Sequence, residues 1–227
     1  MRDDLKVSLL KKVENQLSIF LKNDLLSVKL KIWNIILIIR QNHSILPKIY
    51  LLLISFARKW KKIVDFSDKR ILDFGGGTGL VTLPLAAQSK SVMLVDISDK
   101  MLDQARLKVE KQAIDNVYLL QQDLLTNPLN QLFDIIVVSR VLHHMPNVEK
   151  TLAMFRNHLV EDGQLFIADF VKTDVNHHGF HLDELEENLS QNGFLPVKSQ
   201  IIYSAEELFL GNYAELFLTL AQNHSFV

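Results

Sequence analysis

The sequence predicts an α/β protein: a doubly wound, mostly parallel, seven-stranded sheet with an antiparallel end, preceded by an N-terminal helical segment. Three observations carry that prediction. From Arg70 onward, short apolar runs of strand length alternate with stretches of helical period, the pattern of repeated strand, helix, strand units. The runs are continuously apolar, as parallel strands covered on both faces are. The first run is followed by four glycines in five positions, Gly75, Gly76, Gly77 and Gly79, before the next helix.

Taken in order, ILDFGGGTGLVTLPLA begins with a buried strand carrying Ile71, Leu72 and Phe74. The glycine loop then leads into a helix expected from about Leu80 to about Gln88, with Pro84 as a local kink near its start. SVMLVD, from Ser91 to Asp96, is the second strand, and Ser98 caps a helix with Leu102, Ala105, Val109 and Ala113 on one face. Asn116 to Asp123 is the third strand, and Phe133 to Ser139 the fourth and central one. A helix from Asn147 turns Leu152, Phe155 and Leu159 inward and is expected to stop at Asp162 and Gly163. Gln164 to Phe170 is the fifth strand, and His181 to Asn192 a helix closed by Gly193. The last two runs, Phe194 to Tyr203 and Tyr213 to Gln222, read as strands that complete the sheet antiparallel, although the second also fits a helical period.

The first 65 residues are different in character. Leu5, Leu9, Val13 and Leu17 recur at helical spacing between charged residues, predicting an amphipathic helix over 4–21. Ile32 to Ile39 and Ile49 to Ala57 are apolar runs, each far short of the roughly 20 residues a membrane span requires. Two buried helices are the plain reading, with membrane contact through residues 30–57 as the weaker one. The chain therefore divides into a helical segment over 1–65 and a ligand-binding domain over 66–227. A substrate lid, a homodimer surface and a weak membrane contact all remain open for the first part.

Composition narrows the function. With 25 basic and 26 acidic residues the net charge is −1, which gives no reason to expect a nucleic-acid partner. There is no cysteine, so thiolate catalysis and cysteine-ligated metal are excluded, and without a signal-peptide pattern a cytoplasmic location is expected.

Four glycines cost backbone entropy and give nothing to a core, so they point to a ligand approaching bare backbone at a helix start. Acids at the ends of successive strands extend the argument. Asp73, Asp96 and Asp123 end the first three strands, and Ser139 with Arg140 ends the fourth. In a doubly wound sheet, ligands bind at those carboxyl ends. Asp96 lies 17 residues beyond Gly79, where a carboxylate can accept from both hydroxyls of a ribose. A dinucleotide site is one reading, but it wants GxGxxG, and here the glycines alternate as Asp73-x-Gly75-x-Gly77-x-Gly79.

That alternating loop, LVDIS with Asp96, QQDLL with Asp123 and FDIIVVSRVLHHMPN together resemble the motifs of the class I S-adenosylmethionine-dependent methyltransferases. The resemblance covers about Arg70 to Gln222 and is closest to the small-molecule type. It implies a Rossmann-like fold, S-adenosylmethionine as cofactor and methyl transfer to a small-molecule acceptor. It also implies that Asp123 meets the adenine amino group, that Leu124 offers a backbone N–H and that Ile97 covers an adenine face. Asp73 would stand near the methionine amino group or hold the loop. The alternatives are a nicotinamide oxidoreductase and a binding protein without turnover.

His143 and His144 follow the fourth strand at the pocket mouth and are the candidates for a general base, since imidazole titrates near neutrality. His177, His178 and His181 lie after the fifth strand, in a region that can close over the pocket. His143, His144, Asp169, His177 and His178 could converge on a divalent metal, but neither HH pair has the i, i+4 helical spacing that puts two ligands on one face, and no metal is expected.

Overall fold

A computed structural model describes residues 65–173, 179–209 and 212–224. The helices expected within 1–64, the apolar stretch 30–57 and His177 with His178 lie outside the described residues.

The described strands are β1 (Arg70–Phe74), β2 (Ser91–Asp96), β3 (Val117–Gln121), β4 (Phe133–Ser139), β5 (Leu159–Phe170), β6 (Phe194–Phe209) and β7 (Asn212–Asn223). The helices are α1 (Thr82–Ala86), α2 (Asp99–Lys111), α3 (Val148–Asn157) and α4 (Leu182–Gln191), with a 3-10 turn over Leu142–His144. One sheet holds the strands in the order β3-β2-β1-β4-β5-β7-β6. The first five are parallel, and β7 runs antiparallel between β5 and β6. The tail is therefore strand in both halves, including the run that also fitted a helical period.

Successive side chains of a strand point to opposite faces, and the core follows that rule. Leu72, Phe74, Ile136 and Val138 join Leu152, Phe155, Leu185 and Leu189 of α3 and α4 on one face. Ile71, Val92 and Ile135 pack with Phe166, Ala168, Leu216 and Leu218 on the other. Burial on both faces explains the unbroken apolar runs in the sequence. β3, at the edge, exposes Tyr118.

The order of the strands fixes where a ligand can bind. The chain builds β1, β2 and β3 outward on one side, then returns to place β4 on the other side of β1. The loops that follow β1 and β4 leave in opposite directions, and the crevice between them lies at the carboxyl ends of the strands.

β3 stops at Gln121, short of the expected Asp123, β6 runs past the expected Tyr203 to Phe209, and three helix boundaries also differ from expectation. Helix α1 starts at Thr82 rather than Leu80 and has only five residues, because the turn through Gly79 takes up the intervening chain. Pro84 is its third residue, where a missing N–H breaks no helical bond. Ala113 is outside α2, exposed and at φ 50°, so the buried face consists of Leu102 and Ala105. The third difference concerns α3, which Asn147 caps by accepting from the Lys150 N–H at 2.8 Å. It ends at Asn157, not Asp162, because the Phe133 N–H claims the His158 carbonyl and draws the chain into β5. Leu159 is buried as expected, but from the strand. Asp162, at φ 59°, lies in an excursion within β5, between the pairs Phe133 with Leu159 and Ile135 with Gln164.

Candidate cofactor site

The loop after β1 is tied down by its own backbone. The N–H groups of Gly75 and Gly76 donate to the Val95 carbonyl at 2.7 and 3.3 Å, and that of Gly79 to the Gly76 carbonyl at 3.0 Å. The Gly77 N–H donates to Asp96 Oδ2 at 2.9 Å. The N–H groups of all four glycines are therefore engaged within the fold, and a five-residue helix adds little dipole of its own.

The four glycines have separate reasons. A Cβ on Gly75 would lie 2.6 Å from Val141, and one on Gly76 would lie 2.6 Å from Leu94 and 2.7 Å from Asp73. These two let the loop pack on its neighbours. Gly79 is needed for its φ of +77°, with only ordinary contacts around it. Gly77 alone faces open space, its nearest neighbour being Asp96 Oδ2 at 3.9 Å. It is the cradle that a side chain would fill and a ligand can occupy.

Asp73 holds the loop from inside the fold. It is fully buried, and the Thr82 hydroxyl donates to its Oδ2, tying the end of β1 to the first residue of α1. Burial raises its pKa from 3.8 to about 6, with the Thr82 bond opposing and the nearby Asp96 charge adding to the rise.

Asp96 ends β2 with its carboxylate braced on both oxygens. Oδ1 accepts from the Ser98 N–H at 2.8 Å, and Oδ2 from Gly77. Each oxygen has a second lone pair for a ligand hydroxyl. Ile97 is 73% exposed beside Asp96, and its carbonyl accepts from Gln121 Nε2 at 3.2 Å. Beyond β3, Asp123 is exposed and its Oδ1 accepts from the Leu125 N–H at 2.9 Å, while the Leu124 side chain is buried. Asp123 thus shapes its own turn, and its exposed carboxylate remains open to a ligand.

At the end of β4, Ser139 is half-buried and Arg140 adopts φ 57°. The 3-10 turn then places His143 against β5. His143 Nδ1 lies 2.6 Å from Asp169 Oδ1, and its backbone N–H donates to Asp169 Oδ2 at 3.2 Å. Asp169 is fully buried and so orients the imidazole. His144 is exposed, with its ring 3.9 Å from that of His143. Burial pulls the Arg140 guanidinium below its ordinary value, and the charge of Asp169 opposes that shift.

One contributor, Lys108, carries no local signal in the sequence. Lys108 Nζ donates to the Thr78 carbonyl at 2.7 Å and clamps the loop from α2, and burial lowers its pKa. Thr82 could have been suspected as a hydroxyl opening the helix that follows Asp73. Asp169, a candidate metal ligand in the sequence, instead meets the ring and the backbone N–H of His143. Among the described residues no group of three or more His, Asp or Glu side chains is placed to hold a metal ion.

A family model described as a methyltransferase domain matches residues 65–209. An uncharacterized methyltransferase of Schizosaccharomyces pombe is 33% identical over 135 residues, 56% of this chain and 46% of that protein. A ubiquinone/menaquinone biosynthesis C-methyltransferase of Yersinia pestis is 33% identical over 144 residues, 57% of each. The chain spans about half the length of the curated relatives it matches. Among solved structures, the YcgJ protein of Bacillus subtilis superposes with a TM-score of 0.63 at 18% identity, covering 76% of this chain and 99% of that one. Phosphoethanolamine N-methyltransferase 2 of Haemonchus contortus, solved with S-adenosyl-L-methionine, gives 0.62 at 15% identity over 75% of this chain and 52% of that one. The chain belongs to the methyltransferase-domain family.

Proposed function

We propose that this chain transfers the methyl group of S-adenosylmethionine to a small-molecule acceptor. One observation carries the reading: an open glycine, Gly77, stands beside a braced carboxylate, Asp96, at a sheet crevice. That pair fits a nucleoside with vicinal hydroxyls, since Asp96 has acceptor capacity left on both oxygens and Gly77 leaves room for the ligand. In this assignment Asp123 takes the adenine amino group, the Leu124 N–H a ring nitrogen, and Ile97 covers one face. Gly75, Gly76 and Gly79 shape the loop, Asp73 holds it to α1, and Ser139 borders the far side.

When bound, the sulfonium supplies an already activated methyl group. The residues of the chain then have to orient, exclude water and remove a proton where the acceptor carries one. Orientation alone contributes about 7–11 kcal/mol in well-aligned systems. His143 is the proton acceptor: with Asp169 holding Nδ1–H, the basic lone pair sits on Nε2. His144, whose ring lies tilted against it, is the alternative base. By their names, relatives include both C- and O-methyltransferases of ubiquinone biosynthesis, which supports a small organic acceptor. The domain boundary near residue 65 is part of the same reading, as is a cytoplasmic setting, with which the lack of cysteine agrees. Among the described residues, no helix is long and apolar enough to cross a membrane.

Calorimetry with S-adenosylhomocysteine and with NAD tests the proposal. Binding of the first and not the second is expected, followed by S-adenosylhomocysteine release in an acceptor screen. Tight NAD binding with no response to S-adenosylhomocysteine would overturn it.

A further inference from the structure

Among the described residues, two buried side-chain polar atoms have no hydrogen-bond partner, Asp73 Oδ1 and Arg140 Nε. The first belongs to a carboxyl whose other oxygen already accepts from Thr82 and whose burial opposes its ionisation. The second belongs to a group that stays charged, so its orphaned donor calls for another explanation.

Arg140 is unusual in its backbone as well. Its φ of 57° lies in the left-handed region, which glycine or asparagine adopts with less strain. The bend itself therefore does not ask for arginine. Nor does Asp169 explain it. The Asp169 carboxylate is committed to the His143 ring, the His143 N–H and the Phe170 N–H, and it offsets the Arg140 charge without meeting Nε. Strain and an unmet donor at one residue, on the rim of a binding crevice, point to a ligand that completes it.

Sheet order indicates which part of a ligand reaches this point. Asp96 and Asp123 lie at the ends of β2 and β3, so the adenosine lies over that side. Strands are about 4.8 Å apart. β4 is two strands from β2, which places Arg140 about 10 Å further along the crevice, beyond the glycine loop. The Arg140 segment also touches that loop, since its neighbour Val141 fills the space against Gly75. A donor molecule laid along the strand ends presents its amino-acid portion there, and a planar guanidinium matches a carboxylate.

We propose that Arg140 binds the carboxylate of the amino-acid end of S-adenosylmethionine, an inference that rests on the methyltransferase reading above. The test compares S-adenosylhomocysteine with 5′-methylthioadenosine, the same thionucleoside without the amino-acid portion, by calorimetry on the full chain. Arg140→Asn suits the left-handed backbone and removes the guanidinium; Arg140→Gln is a second variant that keeps more of the stem. Each should weaken S-adenosylhomocysteine at least tenfold while leaving 5′-methylthioadenosine within twofold of wild type. Equal losses for both ligands would make Arg140 a structural residue and overturn the assignment. Unchanged S-adenosylhomocysteine affinity would overturn it too, and would turn the guanidinium toward the acceptor. Failure of the wild-type chain to bind either ligand would instead refute the methyltransferase reading itself.

Discussion

Replacing Asp73 with Asn should stabilise the protein at neutral pH, and the size of the effect follows from burial. The carboxyl has an ordinary value of 3.8 and is raised to about 6 in the folded chain, chiefly because it is buried. Each pH unit of such a shift is worth about 1.4 kcal/mol, so ionising Asp73 in the fold costs about 3 kcal/mol relative to the unfolded chain. The direction is that of a raised pKa. The contribution is fully present below pH 3.8 and is lost as pH rises through about 6. Asn is isosteric, stays neutral and can still pair with the Thr82 hydroxyl, so it escapes that loss. Urea unfolding of both proteins from pH 4 to 7.5, without ligand, should give curves that nearly coincide at the acid end. They should separate as pH rises, reaching about 3 kcal/mol in favour of Asp73→Asn above pH 7. Groups that titrate identically in both proteins cancel in the difference. A difference that does not change with pH would refute the reasoning, and a wild type more stable at pH 7 would show that the charged form has a partner in the fold.

The other predictions concern the crevice. Asp96→Ala should weaken S-adenosylhomocysteine by about ten- to hundredfold, because hydrogen bonds to a charged acceptor contribute about 1.5–3 kcal/mol; unchanged affinity in calorimetry would leave the acid with only its loop-bracing role. Gly76→Ala and Gly77→Ala should fail differently. The first drives a methyl into Leu94 and Asp73 and should lower stability by about 1–3 kcal/mol in thermal or urea melts. The second meets no clash and should cost about 1–2 kcal/mol for its φ of +54°, yet lower ligand affinity at least tenfold. Equal affinity losses for the two would mean that Gly77 is not the approach point. His143→Gln should lower turnover of a protonated acceptor by about 100-fold or more while leaving S-adenosylhomocysteine affinity unchanged, and an unaffected rate would move the proton transfer elsewhere.

What the sequence determined by itself is what depends on neighbours along the chain. The limits of β2 and β4 were readable because apolar runs end where polar strand ends begin. Ser98 and Asn147 were readable as helix starts because a capping side chain bonds a backbone group three residues on. The alternating glycines and strand-end acids located the crevice for the same reason, since strand direction places all of them at one edge. Tertiary structure decided what each of these residues does there. Of four similar glycines, Gly77 has the most open surroundings among the described residues, because Val141 and Leu94 occupy the space beside Gly75 and Gly76. Asp73 was turned inward to Thr82, Asp96 was braced by a loop 19 residues away, and His143 was oriented by an acid 26 residues on. The end of α3 was set by pairing with Phe133 rather than by Gly163. Each of these depends on register between strands distant in sequence, and periodicity and composition carry no record of register.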